Sequence, residues 1–287
     1  MRPFRIGKIA YTNVLPVYQY LRDTDMPIAV EWVRQVPTEL NRKMMEGSIE
    51  ISPISSFAYA QQFSNCLLLP NLSISAWGAV RSILLFSKKD SLSALDGAKI
   101  ALTTASSTSV HLLRVILEKF EGIQPEYQFV APDLDKMLEQ ADAALLIGDD
   151  AIKASWRKSS YFVFDLGYEW YRRTGLSMTF AVWAIRREIV EERKAEIEQI
   201  AEVFLQAKAI GKNRLEPVIE EAQRRLGGSI SFWNKYYQGL CYDLGEKELM
   251  GLKTFYHHAF DLGLLDEEVE VQLLEMPKAC ICNDRVK

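Results

Sequence analysis

The chain has 287 residues, 48% of them hydrophobic, and a formal net charge of −4. That length and apolar content suit two domains or one large α/β unit with a sizeable core. The mild acidity shows no basic stripe, which argues against a nucleic-acid partner, and no apolar run is long enough to span a membrane.

Met1–Tyr20 contains Asn13 and Pro16 and lacks an uninterrupted apolar region with a cleavage site, so no signal peptide is read and a cytoplasmic location is expected. The four cysteines, Cys66, Cys241, Cys280 and Cys282, fall in no metal or redox spacing beyond a weak C-x-C at the end. Reduced, structural thiols are expected.

Phe4–Ile9 is the first strand candidate, running into Ala10–Pro16 (AYTNVLP). Pro16 is placed to open a helix over Val17–Leu21. Asn13 sits just past the strand, where a polar side chain in an open α/β sheet faces a cleft; the simpler reading is a turn residue bonded to its own backbone. Ile28–Val33 is a second strand, followed by a helix over Val36–Glu46 with Thr38 as a plausible N-cap. Ile49–Ile54 is a third strand, and the PISS turn at its end carries Ser55 before a helix over Phe57–Gln62. Leu67–Leu69 and Leu72–Ile74 read as short strands and Val80–Phe86 as a longer one. Within the last, Arg81 suits bidentate carboxylate binding or snorkelling at a sheet edge. Ser82 is a hydroxyl in an apolar run and needs a partner.

Ser87–Leu95 is polar and reads as a crossover into a second domain. There the strand Lys99–Leu102 leads into TTASSTSVHLL, with Thr104, Ser106, Ser107, Thr108 and Ser109 crowded before a helix patterned on Val110, Leu113, Leu117 and Phe120. A helix start has unpaired N–H groups and a partly positive end, so this turn suits a carboxylate or phosphate; one serine as an N-cap among solvated neighbours is the plainer alternative. His111 is close enough to titrate near neutrality there, although packing is its simpler role. Gln128–Val130, Leu134–Ala141 and Ala143–Ile147 read as strand, helix and strand. Gly148 then permits a close backbone approach. Asp149 is a cap or a cleft acid, before a helix from Ile152–Trp156. Tyr161–Leu166 is a strand, Gly167–Thr174 a helix, and Met178–Ile185 a strand returning to the first domain. Ile189–Lys208 is a long charged helix with a solvated face, and helical segments follow. Adjacent His257 and His258 cannot share a helix face, so no metal site is expected.

The expected architecture is α/β: one discontinuous lobe from residues 1–88 and 184–287, a second from 89–183, and a cleft between them. The turns at Asn13, Ser55, Ser106–Ser109 and Gly148 would face it.

Six stretches together resemble the MqnA family, the chorismate dehydratases of the futalosine route to menaquinone. They are IGKIAYTNVLPVY (Ile6–Tyr18), ISPISSFAYA (Ile51–Ala60), SISAWGAVRSILLFSKK (Ser73–Lys89), IALTTASSTSVHLL (Ile100–Leu113), ALLIGDDAI (Ala144–Ile152) and FDLGYEWYRRTGLSMTFAVW (Phe164–Trp183). The resemblance implies the two-lobed fold of type II periplasmic binding proteins, a small dicarboxylate substrate, chorismate, and no cofactor or metal. It implies that Asn13 and Ser82 hold the substrate and assist the departing hydroxyl. It also places Ser106, Ser107 and Thr108 at the anion turn and Gly148 with Asp149 in the IGD turn. Ser55 and Arg81 complete the expected substrate contacts. Ser52-Pro53 and Ser177-Met178 depart from the family's usual residues and are expected to reshape the cleft wall. The sister 1,4-dihydroxy-6-naphthoate synthases typically carry Ser-Pro-Cys-Pro-Asn-Asp where this chain has YTNVLP. A non-catalytic carboxylate binder and that sister enzyme remain the alternatives.

Overall fold

The computed structural model describes residues 2–22 and 25–277. Among them, eleven strands form two sheets. The first has the order β11-β4-β10-β3-β1-β2, from Leu240–Cys241, Cys66–Ala76, Met178–Arg186, Ile51–Ser55, Phe4–Ile9 and Val30–Gln35. The second has the order β7-β6-β8-β5-β9, from Glu126–Val130, Lys99–Thr103, Ala143–Ile147, Ile83–Ser87 and Phe162–Asp165. In each, a parallel set (β2-β1-β3; β7-β6-β8) is extended by antiparallel strands. Strands β3, β5 and β8 are buried at every residue; the apolar runs ILLF of β5 and AALLI of β8 suit that setting, and β3 buries Ser52 and Ser55 beside its two isoleucines.

The helices are α1 (Leu15–Tyr18), α2 (Pro37–Met45), α3 (Ser56–Ala60), α4 (Ser107–Arg114), α5 (Leu134–Gln140), α6 (Gly148–Ser155), α7 (Leu166–Thr174), α8 (Arg187–Asn213), α9 (Glu216–Leu226), α10 (Ile230–Gly239) and α11 (Glu246–Asp261). A π-helical turn, Val115–Phe120, continues α4. Helix α8 packs on β4 and β10 of the first sheet and is broken at Arg193, where φ is −137°. One apolar cluster runs through both lobes, joining Ile6, Trp183 and Phe204 to Leu85, Leu102 and Leu145.

Both crossovers lie earlier than the sequence suggests. Strand β4 ends at Ala76 in the first sheet, and Ile83–Ser87 already pairs with β8 in the second, so the chain crosses at residues 77–82 rather than near 88. The return falls between α7 and β10, whose first residue, Met178, pairs with Ala76, rather than near 183. The expected strand over Val80–Phe86 is therefore a turn through Ser82 and a strand from Ile83, with Arg81 left-handed at φ 60°. The two short strands at residues 67–74 are one bulged strand, which Asn71 continues in the left-handed region (φ 56°) that Asn tolerates. Helix α2 begins at Pro37 with no side-chain cap, so Thr38 is not its N-cap. Cys66 and Cys241 are free thiols, which burial pushes up to about 11 in each case. Cys280 and Cys282 lie outside the described residues.

Candidate active site

The strand ends converge on a cleft of about 540 Å³, counting its open mouth. The first lobe contributes the loop after β1 (Tyr11, Asn13), the end of β3 (Ser55) and Phe180 of β10; the second contributes Ser82, the start of α4 (Ser106, Ser109) and the β8–α6 turn (Gly148). The remaining walls are mostly aliphatic. Among the described residues lining the cleft, none carries a carboxylate, amine, guanidinium or imidazole.

Local structure explains each placement. Asn13 lies in a 310 turn, Thr12–Val14, whose backbone is tied down from behind. The Tyr237 hydroxyl donates to the Thr12 carbonyl (3.1 Å) and the Tyr242 hydroxyl to the Asn13 carbonyl (2.9 Å). The Asn13 side-chain oxygen is buried with no hydrogen-bond partner among the described residues. Ser82 ends the crossover loop, and Asp165, the N-cap of α7, holds that loop. One Asp165 oxygen accepts from the N–H groups of Val80 (3.0 Å), Gly167 (3.0 Å) and Tyr168 (3.1 Å), and the other from Arg81 (2.7 Å). Burial raises the Asp165 pKa and these N–H groups oppose the rise. Tyr236 is fully buried facing Ser82 and Thr12, though without a hydrogen bond of normal geometry to either. Ser106 caps α4, its Oγ accepting from Ser109 N–H (3.2 Å). Gly148 has φ 57°, and a Cβ there would meet the Tyr11 ring at 3.1 Å. Burial, with Asp150 and Asp149 nearby, pushes the Tyr11 phenol up to about 12, so it stays protonated.

Asn13, Ser82, Ser55, Ser106 and Gly148 thus meet in the cleft as expected, and Ser109 joins them. Ser55 also caps α3 through Ala58 N–H (3.1 Å) and bonds Asn41, which fixes its hydroxyl. Four expected contacts lie elsewhere. Thr108 turns to the other lobe, its Oγ1 accepting from Phe57 N–H (2.9 Å) and meeting Ser56 Oγ (3.2 Å). The Asp149 Oδ1 is taken by Thr12, from N–H (3.0 Å) and Oγ1 (2.7 Å); it neither caps α6, which starts at Gly148, nor lines the cleft. The Arg81 guanidinium donates to the Ala79 carbonyl (3.0 Å) beside Gly239. Ser107 is outside the lining, and its carbonyl pairs with His111 Nδ1 (2.8 Å). His111 stacks on Phe57 at 3.5 Å between ring centroids, and burial pulls it down to about 4, which removes it as a neutral-pH titrating group. The two departures also miss the cleft: Ser52 fills the space beside Gly7, and Ser177 packs under Gly251 of α11. No group of three or more His, Cys, Asp or Glu among the described residues could hold a metal ion.

A family model described as menaquinone biosynthesis matches residues 4–261. The chain belongs to that family. It is 35% identical to a chorismate dehydratase of Thermus thermophilus over 270 residues, 89% of this chain and 94% of that one. A chorismate dehydratase of Campylobacter jejuni is 28% identical over 70% of this chain and 74% of its own. Among solved structures, an Archaeoglobus fulgidus protein superposes with a TM-score of 0.71 at 20% identity, covering 92% and 98% of the two chains. The periplasmic aliphatic sulphonate binding protein SsuA of Escherichia coli does so with 0.67 at 16%, covering 97% and 95%. These two show the fold, that of the periplasmic binding proteins.

Within this menaquinone-biosynthesis family member, sequence reasoning passed over Tyr11, Phe180 and the tyrosines of the C-terminal region. Tyr11 adjoins Asn13, which was a usable signal. Tyr237 and Tyr242 carried none, because they reach the site from more than two hundred residues away.

Proposed function

We propose that this chain is a chorismate dehydratase, a carbon–oxygen hydro-lyase that converts chorismate to 3-[(1-carboxyvinyl)oxy]benzoate and water. The match to the Thermus thermophilus enzyme along nearly the whole chain carries this reading. The cleft supports a mechanism. The ring C–H beside the ether oxygen loses its proton, the neighbouring hydroxyl leaves, and the ring becomes aromatic. Electrons and oxidation state balance without a redox partner or cofactor. A protein base is missing from the cleft wall, so the substrate's own enolpyruvyl carboxylate takes the proton and passes it to the departing hydroxyl as water forms. The protein orients the substrate and excludes water, which lowers the barrier by positioning rather than by acid–base groups. Asn13 and Ser82 hold the reacting edge and hydrogen-bond the leaving hydroxyl. A substrate carboxylate rests at the start of α4, where Ser106, Ser109 and the first N–H groups of the helix supply donors.

Purified protein mixed with chorismate should yield a product lighter by one water with a new aromatic absorption, and Asn13→Ala should lower kcat by about a hundredfold or more, the scale expected when a positioning contact is lost. Folded protein that returns chorismate unchanged would sink the reading in favour of a carboxylate binder.

A further inference from the structure

The turn that opens α6 makes two contacts the reaction scheme leaves unused. Gly148 N–H donates to the Ser82 carbonyl at 2.6 Å, continuing the β5–β8 ladder in which Ile83 faces Ile147. One residue on, Asp149 Oδ1 accepts both the N–H and the hydroxyl of Thr12 at 3.0 and 2.7 Å. The first bond stays inside the second lobe; the second crosses the cleft to the residue before Asn13. The carbonyls of Thr12 and Asn13 are already held from the first-lobe side by Tyr237 and Tyr242. The loop is therefore gripped by its carbonyls from one lobe and by the Thr12 N–H and hydroxyl from the other. The Asn13 side-chain oxygen has no bond of its own to fix it. Its direction follows from the backbone that Asp149 holds.

We infer that Asp149 is a positioning residue: by taking both Thr12 donors across the cleft, it sets Asn13 against Ser82, so the reacting pair is assembled only when the lobes are together. The inference rests on the dehydratase reading for the roles of Asn13 and Ser82. Asp149 itself is outside the cleft lining and acts as an acceptor, not as a base.

The experiment compares Asp149→Ala, Asp149→Asn, Thr12→Val and the Asp149→Ala/Thr12→Val pair. Asp149→Ala should lose about a hundredfold in kcat, with KM moved far less, as a small misplacement of a reacting group does. Asp149→Asn keeps an oxygen that accepts both donors and should stay within about tenfold, since only the charge assistance is lost. Thr12→Val should lower kcat, and the double variant should fall no further than Asp149→Ala, because the Thr12 hydroxyl acts only through Asp149. Equal collapse of Asp149→Asn and Asp149→Ala would overturn the inference and point to a proton or charge role. Wild-type kcat in Asp149→Ala or in Thr12→Val would overturn it too. If Asp149→Ala does not fold, Thr12→Val and Asp149→Asn decide by the same criteria. Hydrogen exchange at the residue-12 amide gives a readout without turnover: it should quicken in Asp149→Ala and not in Asp149→Asn or Thr12→Val, where the amide keeps its acceptor. Inert wild-type protein would defeat the dehydratase reading alone, while exchange unchanged in Asp149→Ala would defeat the positioning role of Asp149 alone.

Discussion

At the scale of single residues, the hydroxyl-rich turn before α4 divides its labour. Ser106 and Ser109 face the cleft, whereas Thr108 is buried and spends its oxygen on Phe57 N–H of the other lobe. A helix start spreads its side chains around the axis with a period of about 3.6 residues, so consecutive hydroxyls cannot all face one ligand. Thr108→Val keeps the shape and leaves a buried N–H without an acceptor, a loss of about 1–3 kcal/mol. Chemical denaturation should show that loss, while KM for the substrate changes little. A large KM rise without a stability change would return Thr108 to the binding site.

Among the elements, the crossover loop 77–82 depends on a carboxylate that no sequence motif marks. Asp165 ends β9, caps α7 and holds Val80 and Arg81, the latter in a left-handed conformation. One side chain thus sets the turn that delivers Ser82. Asp165→Ala removes an N-cap, which is worth about 1 kcal/mol, and strands two further N–H groups. We expect a lowered melting temperature together with a kcat drop as Ser82 loses its placement; intact turnover in a folded Asp165→Ala would show that the loop holds its shape without the clamp. Gly148 and Asp149 look like a connector in sequence, yet helix α6 begins at Gly148, whose φ of 57° glycine adopts at no steric cost.

For the molecule as a whole, the lobes meet through buried packing as well as around the cleft. His111 of α4 stacks on Phe57 of α3, which sits on the first lobe beside β10. Burial takes the imidazole from its ordinary 6.5 to about 4, against a smaller opposing effect of the Ser107 carbonyl. The unfolded chain therefore binds this proton below about 6.5 and the folded chain only below about 4, so acidification through that window favours unfolding. The stability is intact above the window, falls through it, and is fully lost near its acid end, by up to about 3 kcal/mol for a shift of this size. Thermal melts of wild type and His111→Gln at neutral pH and near pH 4 should show a steeper acid loss in the wild type. Asp149 and Asp165 have pKa values raised by burial and act in the opposite direction, so the difference between the two proteins is the quantity to read.

The alternation of strands and helices, the two-lobed class and the cleft positions of Asn13, Ser82, Ser106 and Gly148 are legible in the amino-acid order alone. These follow from local periodicity and from motifs that keep their spacing. The same order also locates the chain's family, because the six matching stretches fall in order from Ile6 to Trp183. The sheet that Ile83–Ser87 joins is set by long-range pairing, since a buried apolar run looks the same whichever neighbours pair with it. The structure shows that Asp149 and Thr108 bond to partners 137 and 51 residues away in the chain, and that the Arg81 guanidinium bonds the Ala79 carbonyl. A polar side chain has the same identity whether it meets a ligand or another part of its own fold, and that choice is made by packing of segments whose separation no local pattern records.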